Sequence, residues 1–254
     1  MCLILFAYRQ HAEYPLVLIA NRDEYYARPT RDAHWWDDAS VFAGRDLEAG
    51  GTWLGISRSG RLAAVTNVRE PGSMQGGKRS RGELTREYLD STTPAPEYLQ
   101  QLQARDQEYA GFNLLLGGAE GLWFYSNREH EIRRIDAGIY GVSNGAFDEP
   151  WPKLDSGKRE LEALLGNAID DTGLMNILTD QNIAEDHELP STGVSLDVER
   201  MLSSRFIRSP EYGTRACSVL LFDNQDRISF TEQNFIDATH EGGRVHEVVE
   251  RQDS

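Results

Sequence analysis

The sequence predicts an α+β fold in a single domain that covers residues 1–254. Segments with strand character occur at both ends of the chain, and segments with helical periodicity lie between them. Apolar residues make up 39% of the chain, which is enough for a substantial core. No internal repeat and no clear linker divides the chain, so one domain whose sheets are covered by helices is expected.

The first segments predict a hairpin of two buried strands. Residues 2–8 are almost wholly apolar, which is typical of a strand buried on both faces. Residues 11–13 predict a turn, and residues 14–21 predict the second strand. The polar segment 22–40 predicts a long loop, and loops of that length often carry function.

Short apolar runs bounded by turn residues predict the remaining strands. These strands cover residues 52–57, 61–67, 112–117, 122–127, 132–135, 139–143, 216–222, 227–233 and 244–250. Helices are predicted where apolar residues recur with helical spacing. They cover residues 83–90, 96–108, 153–166, 171–179 and 197–204. The polar segment 182–195 has no periodicity and predicts no regular element.

The net charge of −15 argues against two classes of partner, because an acidic surface repels both nucleic-acid phosphates and anionic lipid surfaces. The apolar runs 2–8 and 15–20 are too short for a membrane span, and no basic segment precedes them as in a signal peptide. Stable membrane insertion is therefore not expected. Two cysteines are few for a secreted protein, so a reducing, cytoplasmic location is expected.

Cys2 is the most informative residue for chemistry. Aminopeptidases remove an initiator Met when a small residue such as Cys follows it, and removal of Met1 would make Cys2 the amino terminus. One residue would then supply a thiol nucleophile and an α-amino group that titrates at about 7.7–8.0 and can act as a base. The alternative is that Cys2 is a small apolar residue at the start of a buried strand.

Polar residues at strand ends could complete a site around such a cysteine. Arg22 and Asp23 follow the second strand, where Arg22 could lower the pKa of the thiol and Asp23 could orient the amine. Asn67 and Asn144 also lie at strand ends. Asparagine there is commonly part of a turn, and it is also a suitable donor to an oxyanion. Arg215 adds a further charge next to the strand that contains the second cysteine.

A basic, glycine-rich segment precedes the first helix. Residues 72–78 have the spacing GxxxxGK, but Arg79 stands where a P-loop needs Ser or Thr to hold magnesium, so nucleotide hydrolysis is not predicted. Lys78, Arg79 and Arg81 could bind an anionic group of a ligand, or they could form a solvated loop. The six histidines show neither helical pairing nor cysteine neighbours, so no metal site is predicted.

Several motifs resemble the NRDE family, which includes the transport and Golgi organisation proteins of eukaryotes and their bacterial relatives. The motif that names the family is Asn21-Arg22-Asp23-Glu24, here with Cys2 at the start of the chain. The resemblance extends over nearly the whole chain. Its other segments are Gly50–Gly55, Val65–Asn67, Ser80–Leu84, Gly141–Asn144 and Tyr212–Arg215.

The NRDE family is similar to the N-terminal-nucleophile hydrolases of the choloylglycine hydrolase and penicillin V acylase type. That resemblance implies a four-layer αββα sandwich with Cys2 as nucleophile and its amine as base. It also implies that Asp23 positions the amine, that Arg22 and Arg215 set the charge around the thiol, and that Asn67 and Asn144 form the oxyanion hole. Those hydrolases separate their Arg and Asp by two residues, whereas Arg22 and Asp23 adjoin.

The resemblance leaves two functions open. One is a cysteine amidohydrolase that acts on a linear C–N amide bond and needs no cofactor for catalysis. The other is a carrier or trafficking protein that binds haem or acyl-CoA in the same cleft, in keeping with the family's links to haem movement and lipid metabolism. Trp35 and Trp36 suit an apolar small-molecule ligand in either case, or they could pack within their loop.

Overall fold

A computed structural model describes residues 2–70 and 78–250. The segment 71–77, which holds most of the glycine-rich spacing noted above, lies outside the described residues. The strands are β1 (Cys2–Tyr8), β2 (Leu16–Tyr25), β3 (Thr30–Trp35), β4 (Val41–Asp46), β5 (Leu54–Ser57), β6 (Leu62–Asn67), β7 (Phe112–Gly118), β8 (Gly121–Ser126), β9 (Ile132–Arg134), β10 (Gly138–Val142), β11 (Tyr212–Phe222), β12 (Arg227–Phe235) and β13 (Glu241–Glu250).

The α-helices are α1 (Gly82–Leu89), α2 (Ala95–Gln103), α3 (Pro152–Leu165), α4 (Asp171–Leu178) and α5 (Leu196–Ser203). Among the residues described, none of these helices combines the length and apolar character that crossing a bilayer requires. The strands form a six-stranded sheet of order β10-β1-β2-β11-β12-β13 and a seven-stranded sheet of order β3-β4-β5-β6-β7-β8-β9. Neighbouring strands are antiparallel throughout.

Three buried clusters divide the molecule into four layers. The central cluster lies between the two sheets and includes Phe6 of the six-stranded sheet and Phe124 of the seven-stranded sheet. A second cluster packs the outer face of the six-stranded sheet against α3 and α4, with Leu154 among its members. A third packs the outer face of the seven-stranded sheet against α1 and α2 through Leu84 and Leu99. The predicted αββα sandwich is therefore confirmed.

The prediction of a loop over residues 22–40 is wrong. Strand β2 continues to Tyr25, and β3 follows over Thr30–Trp35. Strand β3 is an edge strand that is mostly polar, with Ala33 as its fully buried side chain, and a register shift interrupts its pairing with β4. Because one face of an edge strand is exposed and the shift breaks the alternation, no period-2 apolar pattern is visible in the sequence.

Two glycines bring α1 against the start of β5. A Cβ atom on Gly51 would lie 2.3 Å from the carbonyl carbon of Gly82, so the two backbones touch. The amide of Thr52 donates to the carbonyl oxygen of Gly82 at 3.2 Å, and the hydroxyl of Thr85 donates to the carbonyl oxygen of Thr52. This contact places Arg81, which precedes the helix, next to residues 51–53.

Replacing Gly51 by Ala tests this contact. The added methyl group has no room against the Gly82 backbone, so Gly51→Ala should lower the free energy of unfolding by about 1–3 kcal/mol, as measured by urea denaturation. Gly166→Ala is the matched control, because the nearest atom to its new Cβ is 3.8 Å away and its backbone is in the right-handed helical region. Equal stability of the two variants would show that the backbones are not in tight contact.

Candidate active site

A cavity of about 510 Å³ opens where β1, β2, β4, β6 and the segment before β5 meet the start of α1. Many of the residues predicted from the sequence line it, although they come from separate parts of the chain. Those predicted residues are Cys2, Arg22, Asp23, Asn67, Lys78, Arg79 and Arg81. Several other lining residues were not predicted from the sequence, among them Glu24, Arg28, Asp46, Glu48 and Trp53.

The pairing of β1 with β2 places Cys2 and Arg22 on one face of the sheet. The two residues are directly opposite each other in the antiparallel register, so their side chains point the same way. Ile4 and Ala20, two residues further along their strands, belong to the cluster between the sheets. The side chains of Cys2 and Arg22 therefore lie on the face that points toward the other sheet, at the end of the core where the cavity begins.

Arg22 is a buried cation that is incompletely paired. Its side chain is 5% exposed, and its guanidinium carbon lies 4.4 Å from the ring centroid of Trp53. Its Nη2 is 3.9 Å from Asp46 Oδ2, a distance too long for a hydrogen bond. Its Nη1 is buried and has no hydrogen-bond partner among the described residues. A buried donor without a partner is costly, so this nitrogen is available to an anion in the cavity.

The Cys2 thiol is half-buried, and its pKa is raised. Burial is the largest cause, and the negative charge of Asp23 acts in the same direction. The charge of Arg22 and a hydrogen bond from the backbone N–H of Asp23 lower this pKa, but they do not outweigh burial. The lowering by Arg22 that was expected from the sequence is thus present but smaller than the effect of burial. A thiol in this state needs a base to become a nucleophile.

Asp23 points to the opposite face, toward the helices. It follows Arg22 on β2, and successive side chains on a strand alternate between faces. Its side chain is 2% exposed, and its Oδ1 accepts a hydrogen bond of 2.7 Å from the hydroxyl of Thr214. Burial raises the pKa of Asp23, whereas the charge of Lys153 and the bond from Thr214 lower it.

Lys153 is a buried lysine near Asp23 that was not predicted from the sequence. It lies in the first turn of α3, is 5% exposed, and donates from Nζ to the carbonyl oxygen of Leu202 at 2.9 Å. Burial lowers the pKa of Lys153 to about 8, and the charge of Asp23 opposes that shift. Helical spacing places Lys153 on the same buried face as Gly157 and Leu161. A lysine on the apolar face of a helix was the signal that could have identified it.

The structure brings the two predicted asparagines into contact. Nδ2 of Asn144 donates to the carbonyl oxygen of Asn67 at 2.7 Å. The hydroxyl of Ser143 donates to the carbonyl oxygen of Cys2 at 3.2 Å. Asn67 lines the cavity with Cys2, whereas Asn144 is buried and lines a neighbouring cavity of about 290 Å³.

Arg215 does not line the cavity that contains Cys2. Its Nη1 donates to the carbonyl oxygens of Tyr25 and Tyr26, both at 2.9 Å, and to that of Arg28 at 3.1 Å. These bonds hold the turn that follows β2. Arg215 thereby fixes the chain on which Arg28 reaches the cavity.

Trp35 and Trp36 are packed away from the same cavity. Trp35 contacts Phe42 at a centroid distance of 5.4 Å and donates from Nε1 to Glu247 at 2.9 Å. Trp36 is 4% exposed and donates from Nε1 to the carbonyl oxygen of Ala43 at 3.0 Å. The tryptophan that lines the cavity is Trp53.

The three predicted cations at the rim differ in their partners. Arg79 forms ion pairs with Glu83 at 2.8 Å and with Glu87 at 2.6 Å. Arg81 donates from Nη1 to the carbonyl oxygen of Gly111 at 3.1 Å. Lys78 is exposed. Within residues 2–70 and 78–250, no group of three or more His, Cys, Asp or Glu side chains is arranged to hold a metal ion.

The fold and the site define a four-layer sandwich protein with a cysteine-containing cavity at one end of its sheets. The chain belongs to the family described as Transport and Golgi organisation 2, which matches residues 1–237. It is 36% identical to the Transport and Golgi organization protein 2 homolog of Bos taurus, over 93% of this chain and 94% of that protein. The corresponding Homo sapiens homolog is 35% identical over the same shares of the two chains.

Two solved structures are also similar to this chain. One is a Caenorhabditis elegans N-acylethanolamine-hydrolyzing acid amidase ortholog, with a TM-score of 0.49 and 12% identity over 87% of this chain and 92% of that one. The other is a C2A mutant of the conjugated bile acid hydrolase from Clostridium perfringens, with a TM-score of 0.45 and 9% identity over 100% of this chain and 94% of that one.

The pKa of Lys153 predicts a pH dependence of stability. Between pH 8 and 10.5 the unfolded chain holds a proton on this lysine that the folded chain lacks, so the contribution of Lys153 to the free energy of unfolding rises with pH across this window. The rise should be absent in Lys153→Met. Urea denaturation at pH 7.5, 9 and 10.5 measures it as the difference between wild type and variant.

Lys158→Met is the control for this measurement. Lys158 is paired with Asp148 at 2.8 Å, and hydrogen bonding and charge at that pair raise its pKa above 10.5. Its contribution is therefore fully present below pH 10.5 and should stay constant across the window. A wild type and a Lys153→Met variant with the same pH dependence would show that Lys153 keeps an ordinary pKa in the folded protein.

Proposed function

We propose that this protein is a cysteine amidohydrolase of the N-terminal-nucleophile type, which acts on a linear C–N amide bond. The observation that carries the proposal is the convergence of Cys2, Arg22 and Asn67 on one cavity, although they come from different strands and from both sheets. A nucleophile, a cation and an amide donor around one space are the groups that acyl transfer requires.

The base in this mechanism is the α-amino group of Cys2, which becomes free when Met1 is removed. The raised pKa of the Cys2 thiol means that a base must take its proton at neutral pH. Asp23 is buried next to Cys2, and its backbone N–H already donates to the sulfur. Its carboxylate would orient the new amine, while Lys153 helps to keep that carboxylate ionised.

The reaction then proceeds in two balanced halves. The amine takes the thiol proton, the sulfur attacks the carbonyl carbon, and the C–N bond breaks as the α-ammonium protonates the departing amine. The product of this half is a thioester on Cys2. Water attacks the thioester carbon while the amine takes a proton from that water. The C–S bond then breaks, and the α-ammonium returns the proton to the sulfur, which gives a carboxylic acid and the free thiol. No redox partner or metal is needed.

Asn67 and Asn144 would donate to the oxyanion in both halves. Asn67 belongs to the lining of the cavity. One N–H of Asn144 is used on the carbonyl oxygen of Asn67, and its second N–H would have to reach the substrate from the neighbouring cavity that Asn144 lines. Because Asn144 holds the backbone of Asn67, it would contribute to the oxyanion site both directly and through its neighbour.

A second candidate is a carrier function, and the partner-free Nη1 of Arg22 favours it. A buried guanidinium N–H without a protein partner can form a charge-assisted hydrogen bond with a haem propionate or with a phosphate of an acyl-CoA. Arg81 and Lys78 line the same cavity and would add to this anion site. Haem would then be cargo and not a catalytic cofactor. The unpaired cysteines suit a reducing compartment, so we place either function in the cytoplasm.

Intact-mass measurement tests the enzyme. Wild-type protein should lack Met1 and should gain the mass of an acyl group on Cys2 when it is incubated with simple acyl amides. Cys2→Ser should lose turnover by about a thousandfold or more, because serine is a much weaker nucleophile. Cys217→Ala is the control, because Cys217 is fully buried and should leave the adduct unchanged. Retained Met1 with no adduct, or an adduct that persists in Cys2→Ser, would exclude this mechanism.

Ligand titration tests the anion site, with haemin and palmitoyl-CoA as probes. Arg22→Gln and Arg81→Gln should each raise Kd about tenfold or more and weaken its salt dependence, since a charge-assisted hydrogen bond contributes roughly 1.5–3 kcal/mol. Arg79→Gln is the control, because Glu83 and Glu87 already neutralise Arg79. If Arg22→Gln and Arg81→Gln bind both probes as tightly as the wild type does, the cavity has no anion site, and the argument for a carrier fails.

A further inference from the structure

A buried polar cluster closes one end of the core between the two sheets. Nδ2 of Asn113 donates to the carbonyl oxygen of Gly145 at 2.9 Å and to the hydroxyl of Thr66 at 3.2 Å. The hydroxyl of Thr66 in turn donates to the carbonyl oxygen of Ser143 at 2.6 Å. Asn113 is 1% exposed and Thr66 is fully buried. These side chains therefore hydrogen-bond to the backbone after β10 without access to water.

These hydrogen bonds connect one sheet to the other. Thr66 and Asn113 lie opposite each other on β6 and β7 of the seven-stranded sheet, whereas β10 is the edge strand of the six-stranded sheet. The central cluster that joins the sheets over most of their area is apolar. Apolar contact is not directional, but hydrogen bonds are. The polar cluster therefore fixes how the two sheets are set against each other at this end.

The hydrogen-bonded residues of this cluster are adjacent in sequence to residues of the proposed active site. Thr66 directly precedes Asn67, and Ser143 directly precedes Asn144. Ser143 also donates to the carbonyl oxygen of Cys2 at 3.2 Å. The cluster thus connects the strand that carries the nucleophile to both proposed oxyanion donors.

Stability alone does not explain why Asn113 occupies this position. Its Oδ1 is buried and has no hydrogen-bond partner among the described residues. An unsatisfied buried acceptor destabilises a fold. What Asn113 contributes is therefore the hydrogen bonds that its Nδ2 donates. They reach the carbonyl oxygens of Ser143 and Gly145, the residues on either side of Asn144.

We infer that Asn113 is a positioning residue that sets the distance between Cys2 and the oxyanion donors Asn67 and Asn144. It does so by bonding the strand end at Thr66 to the strand end at Ser143 across the sandwich. The assignment of oxyanion donors rests on the proposed function, whereas the control of distance does not.

Cross-linking measures that distance without any substrate. In an Asn67→Cys background, a short bifunctional alkylating reagent should join residue 67 to Cys2, since both line one cavity. Adding Asn113→Ala should slow the cross-link about tenfold or more. Adding Asn127→Ala is the matched control, because Asn127 is an equally buried asparagine whose hydrogen bonds stay on the side of the seven-stranded sheet. Its Oδ1 accepts from the backbone N–H of Phe112 at 2.8 Å, and its Nδ2 donates to the carbonyl oxygen of Asp106 at 3.2 Å. Equal cross-linking rates in the two double variants would overturn the inference.

Kinetics supplies the second measurement if the wild type forms an acyl-enzyme. Asn113→Ala should lower kcat by about a hundredfold with little change in KM, because misplacement affects the transition state more than binding. Should Asn113→Ala fail to fold, Asn113→Ser keeps one hydroxyl donor and should give intermediate values in both measurements. If no acyl-enzyme forms in the wild type, the proposed function fails, but the cross-linking result still decides the role of Asn113.

Discussion

The pairing of β1 with β2 inside a sandwich that is buried on both faces is the constraint on which the rest of this site depends. Side chains alternate between the two faces of the six-stranded sheet. One face packs against the other sheet, and the opposite face packs against the helices. Adjacent residues therefore have opposite environments. Arg22 enters the inter-sheet space with Cys2, whereas Asp23 enters the helical side with Lys153. A one-residue change of register would exchange these two roles.

The same constraint explains why the polar groups lie at one end of the sandwich. Along β1 and β2 both faces are filled by apolar side chains, so charged or amide groups can occupy only the strand ends. There, the core is closed by hydrogen bonds between Thr66, Asn113 and the backbone after β10. Val65 and Asn67, on either side of Thr66, line the cavity.

Three features at this end reduce stability. Arg22 Nη1 and Asn113 Oδ1 are buried without hydrogen-bond partners among the described residues, and Lys153 is a buried amine whose pKa falls to about 8. Each costs free energy that a fully apolar core would not. Natural proteins tolerate such costs mainly where function requires them. Arg22 and Lys153 flank the strand end that carries Cys2 and Asp23, which supports a functional role for this end of the molecule.

The sequence by itself determined the α+β class, the buried hairpin and seven of the residues that line the cavity. It could do so because apolar periodicity is local and because the polar residues stand directly beside apolar runs: Cys2 opens one, and Arg22, Asp23 and Asn67 come at or just after the ends of others. Only the tertiary structure decided the positions of residues whose environment is set by distant segments. Strand β3 lacked a pattern because one of its faces is exposed, and Trp35 and Trp36 turned inward to pack while Trp53 lined the cavity.

The same limit applies to charge. The raised pKa of the Cys2 thiol, the pairing of Arg79 with Glu83 and Glu87, and the use of Arg215 on backbone carbonyls all arise from segments far apart in the chain or from burial. Sequence position identifies the type of charge at a site. Burial and partners, which only the packed chain fixes, determine what that charge can do.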